Sequence, residues 1–219
     1  MNNQQIVIII AAFVMGWFAF GILYNLRRGN ALMRWLQQGL PLIGERTTFR
    51  WLGSSVAELS IKNAKTPFRR LDIIIMLAPR DVPWLWLISG LQGRRDTLIL
   101  RGYLAKPPRL DLELVDPVSW TGRLASKEVK GRNWESQSYQ GLELIAPRGY
   151  SSLTRNAVEH LDPQRNKLTI KYRRFSLRKE APHLELHIPF PDRTGIGATG
   201  FFESLQELAR AVNDPELFN

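Results

Sequence analysis

The longest uninterrupted apolar run in the hydrophobic pattern covers residues 6–24. It contains no charged side chain, and Arg27 and Arg28 follow it almost at once. A helix over this run covers about 28 Å, close to the ~30 Å hydrocarbon core of a bilayer. The pattern therefore predicts a transmembrane anchor in residues 1–25, with Gly16 and Gly21 as glycines tolerated on a lipid-facing helix.

A cleaved secretory signal is the alternative interpretation of this run. Such a signal has a basic amino-terminal region, an apolar core of about 7–15 residues and a small-residue cleavage site. Residues 2–5 carry no charge, the apolar core is too long, and Tyr24 and Asn25 make a poor cleavage site. We therefore favour an anchor. Because basic residues follow the span and none precedes it, we expect the amino terminus outside and the remainder in the cytoplasm, under the plasma membrane if the organism is prokaryotic.

A helical apolar pattern continues into residues 26–41. A stripe that includes Met33 and Leu36 runs between polar positions, and Pro41 ends it. We predict a juxtamembrane amphipathic helix that lies at or near the lipid headgroups. The residues expected at the membrane interface are Arg27, Arg28, Arg34 and Trp35.

The remaining residues, 42–219, show mostly period-two alternation and aliphatic runs, which are typical of strands. Predicted strands cover residues 54–61, 71–78, 97–105, 110–115, 141–146, 167–175 and 184–188. Predicted helices cover residues 83–91, 150–161 and 201–212, with a loop that contains some short structure over 116–140 and a turn at Asp162 and Pro163. This order indicates an α+β fold: a mixed sheet with helices packed on one face, and two related halves over 50–116 and 140–213 as one possible division.

The predicted helix over residues 83–91 is nearly all apolar and contains Trp84 and Trp86. We expect it to lie buried against the sheet, because strands on both sides of it need covering. The alternative is an exposed apolar patch in which Trp84 and Trp86 contact lipid or a transmembrane segment of a client protein.

Charge changes the picture, because all 30 Lys and Arg and all 20 acidic residues lie beyond the predicted span, for a net charge of +10. This excess favours a polyanionic neighbour, either anionic lipid headgroups, RNA or an acidic protein surface. Proximity to an anionic membrane is enough to explain it. The chain has no cysteine, which excludes disulfides, thiolate metal sites and cysteine nucleophiles.

Several basic side chains are clustered and are candidates for binding an anionic partner. Tyr172 and Phe175 interleave with the last of them, a pattern compatible with stacking on RNA bases. Neighbouring strand residues face opposite sides, however, so Arg173 and Arg174 cannot both reach one partner. The candidates are Arg69, Arg70, Arg94, Arg95, Lys171, Arg173 and Arg174.

Two patterns that could carry chemistry are weak. Residues 195–200 match a dinucleotide fingerprint, but Pro189 and Pro191 separate its glycines from the preceding strand, and we expect no second strand to follow. His183, Glu185 and His187 point from one strand face, yet the two histidines lie about 13 Å apart, too far for one ion. We predict a solvated polar face, no cofactor, no metal and no enzymatic activity; a membrane-tethered enzyme using this strand is the alternative.

Scattered positions and the order of elements over residues 20–213 resemble the calumin family, single-span membrane proteins of the endoplasmic reticulum that belong to the PAT complex. The matching positions are Asn30, Ala31, Trp35, Arg80, Asp81, residues 96–100, residues 184–190, Pro191 and the helix over 201–212. The resemblance does not extend to the acidic luminal segment or to the long charged helical tail of that family. We therefore do not expect a luminal calcium-binding role, and the resemblance does not imply direct ribosome contact through such a tail.

The resemblance implies a chaperone and scaffold for inserting multipass membrane proteins. Its implied partners are a translocon or insertase, nascent membrane proteins and ribosomal RNA. We therefore expect a non-enzymatic, membrane-anchored accessory protein. The alternatives are a structural accessory subunit of another membrane complex, or a membrane-tethered module that binds RNA or anionic lipid.

Overall fold

One continuous helix carries the chain from its apolar run into the folded domain. The computed structural model describes residues 2–129, 132–168, 171–191 and 197–214. Helix α1 (Asn3–Gln37) is 35 residues long, and the short helix α2 (Leu40–Ile43) follows, with Pro41 in its first turn. Among the described residues, α1 is the helix long and apolar enough to cross a membrane. The predicted span and the juxtamembrane helix are therefore one rod.

The described strands form a single nine-stranded sheet in the order β1-β2-β3-β4-β9-β8-β5-β7-β6. Their bounds are β1 Thr47–Trp51, β2 Val56–Lys62, β3 Phe68–Met76, β4 Thr97–Leu104, β5 Leu112–Val115, β6 Trp134–Tyr139, β7 Leu142–Pro147, β8 Arg174–Leu177 and β9 Leu184–Pro189. All eight pairings are antiparallel, so the predicted mixed sheet is wrong. Five of the neighbouring pairs are consecutive in sequence, and four of those five have links shorter than the crossover of a dozen residues that parallel strands need.

Four further helices complete the described part of the chain: α3 Pro83–Leu91, α4 Trp120–Val129, α5 Ser151–Lys167 and α6 Ala198–Ala211. One face of the sheet packs against the carboxyl-terminal half of α1 and against α2, α5 and α6 in the main core. Leu114 belongs to that core, whereas its neighbour Val115 belongs to a second cluster with Ala125 and Val129 of α4. Because successive strand residues face opposite sides, α4 covers the other face, and the expectation of helices on one face is wrong.

Three local predictions differ from the structure. The predicted loop with some short structure over 116–140 contains more regular structure than expected, the helix α4 and the strand β6; the Ser119 hydroxyl accepts the Gly122 N–H and caps α4. The predicted turn at Asp162 and Pro163 lies inside α5, where Leu161 before the proline and Leu168 after it both pack in the core. The predicted strand over 167–175 overlaps β8 at residues 174–175 only, because α5 extends to Lys167 and β8 runs from Arg174 to Leu177; residues 169–170 lie outside the described residues.

Helix α1 meets the domain through one stripe of its surface. The stripe, which we call the docking stripe, consists of Gly21, Asn25, Gly29, Leu32 and Leu36, spaced three or four residues apart and therefore on one face. A Cβ atom on Gly21 would overlap the backbone of Arg80 and Asp81, so this glycine lies against protein and not lipid. Only 6% of the apolar window of α1 is buried. The same helix is thus exposed in its first half and part of the core in its second.

Replacing Gly21 by alanine tests this packing. We expect Gly21→Ala to lower the free energy of unfolding by about 1–3 kcal/mol, because the added methyl group overlaps backbone that cannot rotate away. The matched control is Gly16→Ala, where nothing lies within 4 Å of an added Cβ and the gain in helix propensity is the same. Thermal unfolding of both variants in one detergent measures the difference, and equal midpoints would contradict the contact.

Candidate functional site

Helix α3 is exposed, contrary to its predicted burial. Ser89 is its one buried residue, whereas Trp84 is 59% exposed, Leu87 60% and Leu91 82%. The reason is that the sheet face it was expected to cover is already packed against α1, α2, α5 and α6. Trp84 and Trp86 therefore belong to an exposed apolar patch, as the alternative interpretation predicted.

The exposed helix α3 stands beside the apolar half of α1. The rings of Trp17 and Trp86 lie 6.0 Å apart, and Phe13 lies 6.0 Å from Trp17. The Trp17 indole N–H donates to the Arg80 carbonyl at 2.9 Å, which fixes this contact at the start of α3. We call the adjoining exposed side chains of the two helices the apolar surface; it includes Phe13, Phe20, Trp84, Trp86, Leu87 and Leu91.

A cationic cavity of about 280 Å³ lies behind α3, with Trp86 and Gly90 in its wall. Five arginines line it, against the single carboxylate of Asp96, and we call it the arginine pocket: Arg28, Arg80, Arg94, Arg95 and Arg173. The fold thus brings together three of the seven candidate anion-binding residues, Arg94, Arg95 and Arg173. It also brings in Arg28, one of the predicted interface residues. Arg80 was missed as a site residue. Arginines flanking both ends of an apolar helix were the available signal.

Asp96 organises one side of the arginine pocket. Both of its carboxylate oxygens accept from Arg80, at 2.9 and 3.0 Å, and it also pairs with Arg28 and accepts the Ala78 N–H at 2.9 Å. Burial raises the pKa of Asp96, but the hydrogen bonds from Arg80 and Ala78 and the two positive charges outweigh it. The pKa of this carboxyl therefore lies below its usual range. Asp96 remains ionised and pairs with two of the five arginines, Arg28 and Arg80.

Asn25 links this network to α1. Its side chain is fully buried, donates to the Ala78 carbonyl at 3.0 Å and accepts from Arg80 at 3.1 Å. The Arg80 guanidinium also lies 5.0 Å from the centre of the Tyr24 ring. The polar part of the site is therefore held at the point where the apolar half of α1 ends.

Arg174 is not in the pocket. It lies on the other face of the sheet, where it forms two hydrogen bonds of 2.9 Å with fully buried Glu113 and also pairs with Glu128 and Glu185. Burial lowers the pKa of Arg174, but these carboxylates outweigh it and leave the pKa raised. Its guanidinium is therefore engaged by three carboxylates of the chain, and its role in binding an external anion stays a prediction.

Two other candidate basic residues lie away from the pocket. Arg70 pairs with Asp72, and Arg69 donates to the Ala105 carbonyl; both are at the opposite end of β3. Lys171 is exposed and is not among the residues that line the pocket.

Two of the predicted interface residues, Arg27 and Arg34, are exposed on α1. Trp35 is a correction, because it is only 6% exposed and its ring lies 5.6 Å from that of Phe201 in the core. The predicted position of Trp35 at the membrane interface is therefore wrong. The residues of α1 that follow Tyr24 and face the domain are covered by protein.

The histidine strand is partly covered, so its prediction as a solvated face is also wrong. The His187 Nε2 atom lies 2.6 Å from Glu185, and both side chains share a cavity with Trp120 of α4. Burial raises the pKa of Glu185, but the hydrogen bond to His187 and nearby charges outweigh it and bring the pKa to about 2. His183 points its Nδ1 at the Leu104 N–H, 3.0 Å away. In the part of the chain that the structure describes, no group of three such side chains could hold a metal ion.

The glycine motif lies partly outside the described residues, which exclude Gly195 and Ile196. Gly197 precedes α6, and Gly200 lies within it.

Comparison with known proteins adds no assignment. No protein-family model matches the chain, and no curated protein matches its sequence. The resemblance to the calumin family remains a prediction, and any function for this chain must be argued from its own geometry.

The Asp96 network predicts an acid-sensitive contribution to stability. Asp96→Asn removes the charge that holds Arg28 and Arg80, so we expect it to lower the free energy of unfolding by about 1–3 kcal/mol at pH 7. Because the pKa of Asp96 is lowered on folding, its contribution is complete above the unfolded pKa and is lost as the pH falls through the folded pKa. Urea unfolding at pH 7 and pH 3 should show the difference between wild type and variant shrinking with acid.

The control for this measurement is Glu159→Gln. Glu159 pairs with Arg155 on the surface of α5, with both side chains about half exposed, so its loss should change stability by less than about 0.5 kcal/mol. A wild-type protein no more stable than Asp96→Asn at pH 7 would show that the network contributes nothing.

Proposed function

We propose that this chain is a non-enzymatic, membrane-anchored accessory protein that binds transmembrane segments of other membrane proteins through its apolar surface. The observation that carries the proposal is the exposed helix α3 standing directly beside the apolar half of α1. An exposed apolar patch of this kind marks a membrane or protein contact.

Anchoring by α1 is the first step of the argument. A buried core helix is a poor alternative, because the apolar window is almost entirely exposed. A cleaved signal is also a poor alternative, because cleavage near Tyr24 would remove Gly21 and could strip Asn25 from the docking stripe. Since Asn25 is fully buried and hydrogen-bonded to the domain, the folded state favours an uncleaved helix.

The depth of α3 is the second step. Trp17 and Gly21, which contact the start of α3, lie about 10 Å and about 4.5 Å above Tyr24 along the helix axis. Interfacial helices bury their apolar faces about 5–10 Å into the boundary between headgroups and acyl chains. Helix α3 therefore fits the inner edge of the leaflet, with the arginine pocket at headgroup level beneath it.

The choice of a transmembrane segment as the occupant is the third step. A single span such as α1 is already enough to anchor a protein, so anchoring does not require the exposed tryptophans of α3. Gly16 on α1 has open space around it, and small residues let helix backbones approach closely. The implied scaffold for multipass membrane proteins, beside a translocon or insertase, agrees with such a surface. The basic residues below the span favour a cytoplasmic domain.

Site-specific photo-crosslinking tests this function. A photoreactive amino acid at Leu87 of α3 in the full chain, irradiated in native membranes, should form adducts with other membrane proteins. Mass spectrometry should map the crosslinked peptides to transmembrane segments. The control position is Leu153 of α5. It is also exposed, at 44%, but it does not belong to the apolar surface.

The adducts also separate the alternatives. Adducts at Leu87 that contain lipid only would overturn the proposal and leave α3 as a membrane-resting helix. Equal labelling of the same proteins from Leu153 would also contradict it, because the contact would then not depend on the apolar surface.

A further inference from the structure

The arginine pocket holds more positive charge than the described residues neutralise. The two carboxylate oxygens of Asp96 are occupied by Arg28, Arg80 and the Ala78 N–H. The other three arginines form no ion pair with any described carboxylate. Two of them contact neutral groups: Arg94 lies 4.4 Å from the Trp120 ring centre, and Arg173 donates to the Thr97 hydroxyl at 3.1 Å.

Arg173 is half-buried and lies close to a second guanidinium. Burial is the largest cause and lowers the pKa of Arg173. The charge of Asp116 raises this pKa, that of Arg95 lowers it and that of Asp96 raises it, and the pKa remains lowered. A half-buried guanidinium beside a second guanidinium is stabilised when an anion binds between them.

The pocket opens where a lipid headgroup would lie. Trp86 forms part of its wall and its ring contacts that of Trp17 at a tilted angle, so the apolar surface and the pocket share a side chain. Arg28 follows Tyr24 by about 6 Å along α1, just beyond the apolar half. A second cavity, of about 580 Å³, shares Arg28 and Phe190 with the pocket and has Tyr24 and Leu32 in its wall. Cationic and apolar walls therefore adjoin, as an amphiphile requires.

We propose that the arginine pocket binds the phosphate group of an anionic phospholipid, with Arg94, Arg95 and Arg173 as its ligands. Planar guanidinium groups bind phosphate oxygens through paired hydrogen bonds, which makes arginine the suited residue. The proposal rests on the membrane placement in the proposed function, since the lipid must reach the pocket along α3. It would fix the domain against the bilayer at a defined angle.

Native mass spectrometry of the full chain tests the site. The protein is released from mixed phosphatidylglycerol and phosphatidylcholine nanodiscs, and the lipids it retains are counted. Wild type should retain one phosphatidylglycerol in preference to phosphatidylcholine, and Arg95→Gln/Arg173→Gln should bind it about 10- to 100-fold more weakly. The control, Arg69→Gln/Lys62→Gln, loses the same charge from exposed side chains at the opposite end of β3 and should behave as wild type.

Folding of the double variant is checked by thermal unfolding. Arg95→Gln alone is a second variant, because this exposed side chain forms no ion pair with the described residues, and it should weaken retention about tenfold. Equal retention by wild type, pocket variants and control would overturn the site. Loss of the lipid on adding millimolar inorganic phosphate, or on adding RNA, would overturn the lipid as its occupant.

The two proposals fail separately. Retention of phosphatidylglycerol together with lipid-only adducts from Leu87 would leave this site standing and remove the binding of transmembrane segments. Conversely, protein adducts from Leu87 together with normal lipid retention by the pocket variants would support the binding of transmembrane segments and remove the lipid site.

Discussion

The rest of this structure depends on one constraint: helix α1 packs into the protein core with its second half and is exposed over its apolar first half. The docking stripe of α1 completes the main core, while the first half of the same helix remains exposed. A rigid helix cannot satisfy both roles unless its rotation and height are fixed relative to the sheet. Gly21 and Asn25 supply that restraint, one by close backbone contact and the other by buried hydrogen bonds.

The position of α3 follows from this constraint. The carboxyl-terminal half of α1 occupies, with α2, α5 and α6, the sheet face that an apolar helix would otherwise cover. The Trp17 indole and the Arg80 carbonyl then hold the start of α3 beside the apolar half of α1. Because Arg80 also reaches Asn25 and Asp96, the same residue joins the exposed apolar helix to the cationic network. Helix α1, helix α3 and the arginine pocket are therefore held together by one set of contacts.

Much of the secondary structure was predictable from periodicity, because most strands and the longest helix have strong local patterns. The bounds of α3 were predicted correctly, and β3 and β9 within a few residues. Helix α4 was missed because its apolar stripe is short and mostly small, and the continuation of α5 past Pro163 depends on core contacts of Leu161 and Leu168. Strand order was out of reach, because β5 pairs with β7 and β8, far from its sequence neighbour β4.

The candidate site shows where local pattern stops being informative. A run such as residues 83–91 is equally suited to a core and to a membrane interface, since both are apolar. What decides between them is whether another element has already filled the core, and that depends on contacts with α1 more than 40 residues away. The flanking charges carry the missing information: a core helix has little need of Arg80 at one end and Arg94 and Arg95 at the other, whereas an interfacial helix places such side chains among headgroups. Reading an apolar helix together with its flanks would have favoured exposure of α3.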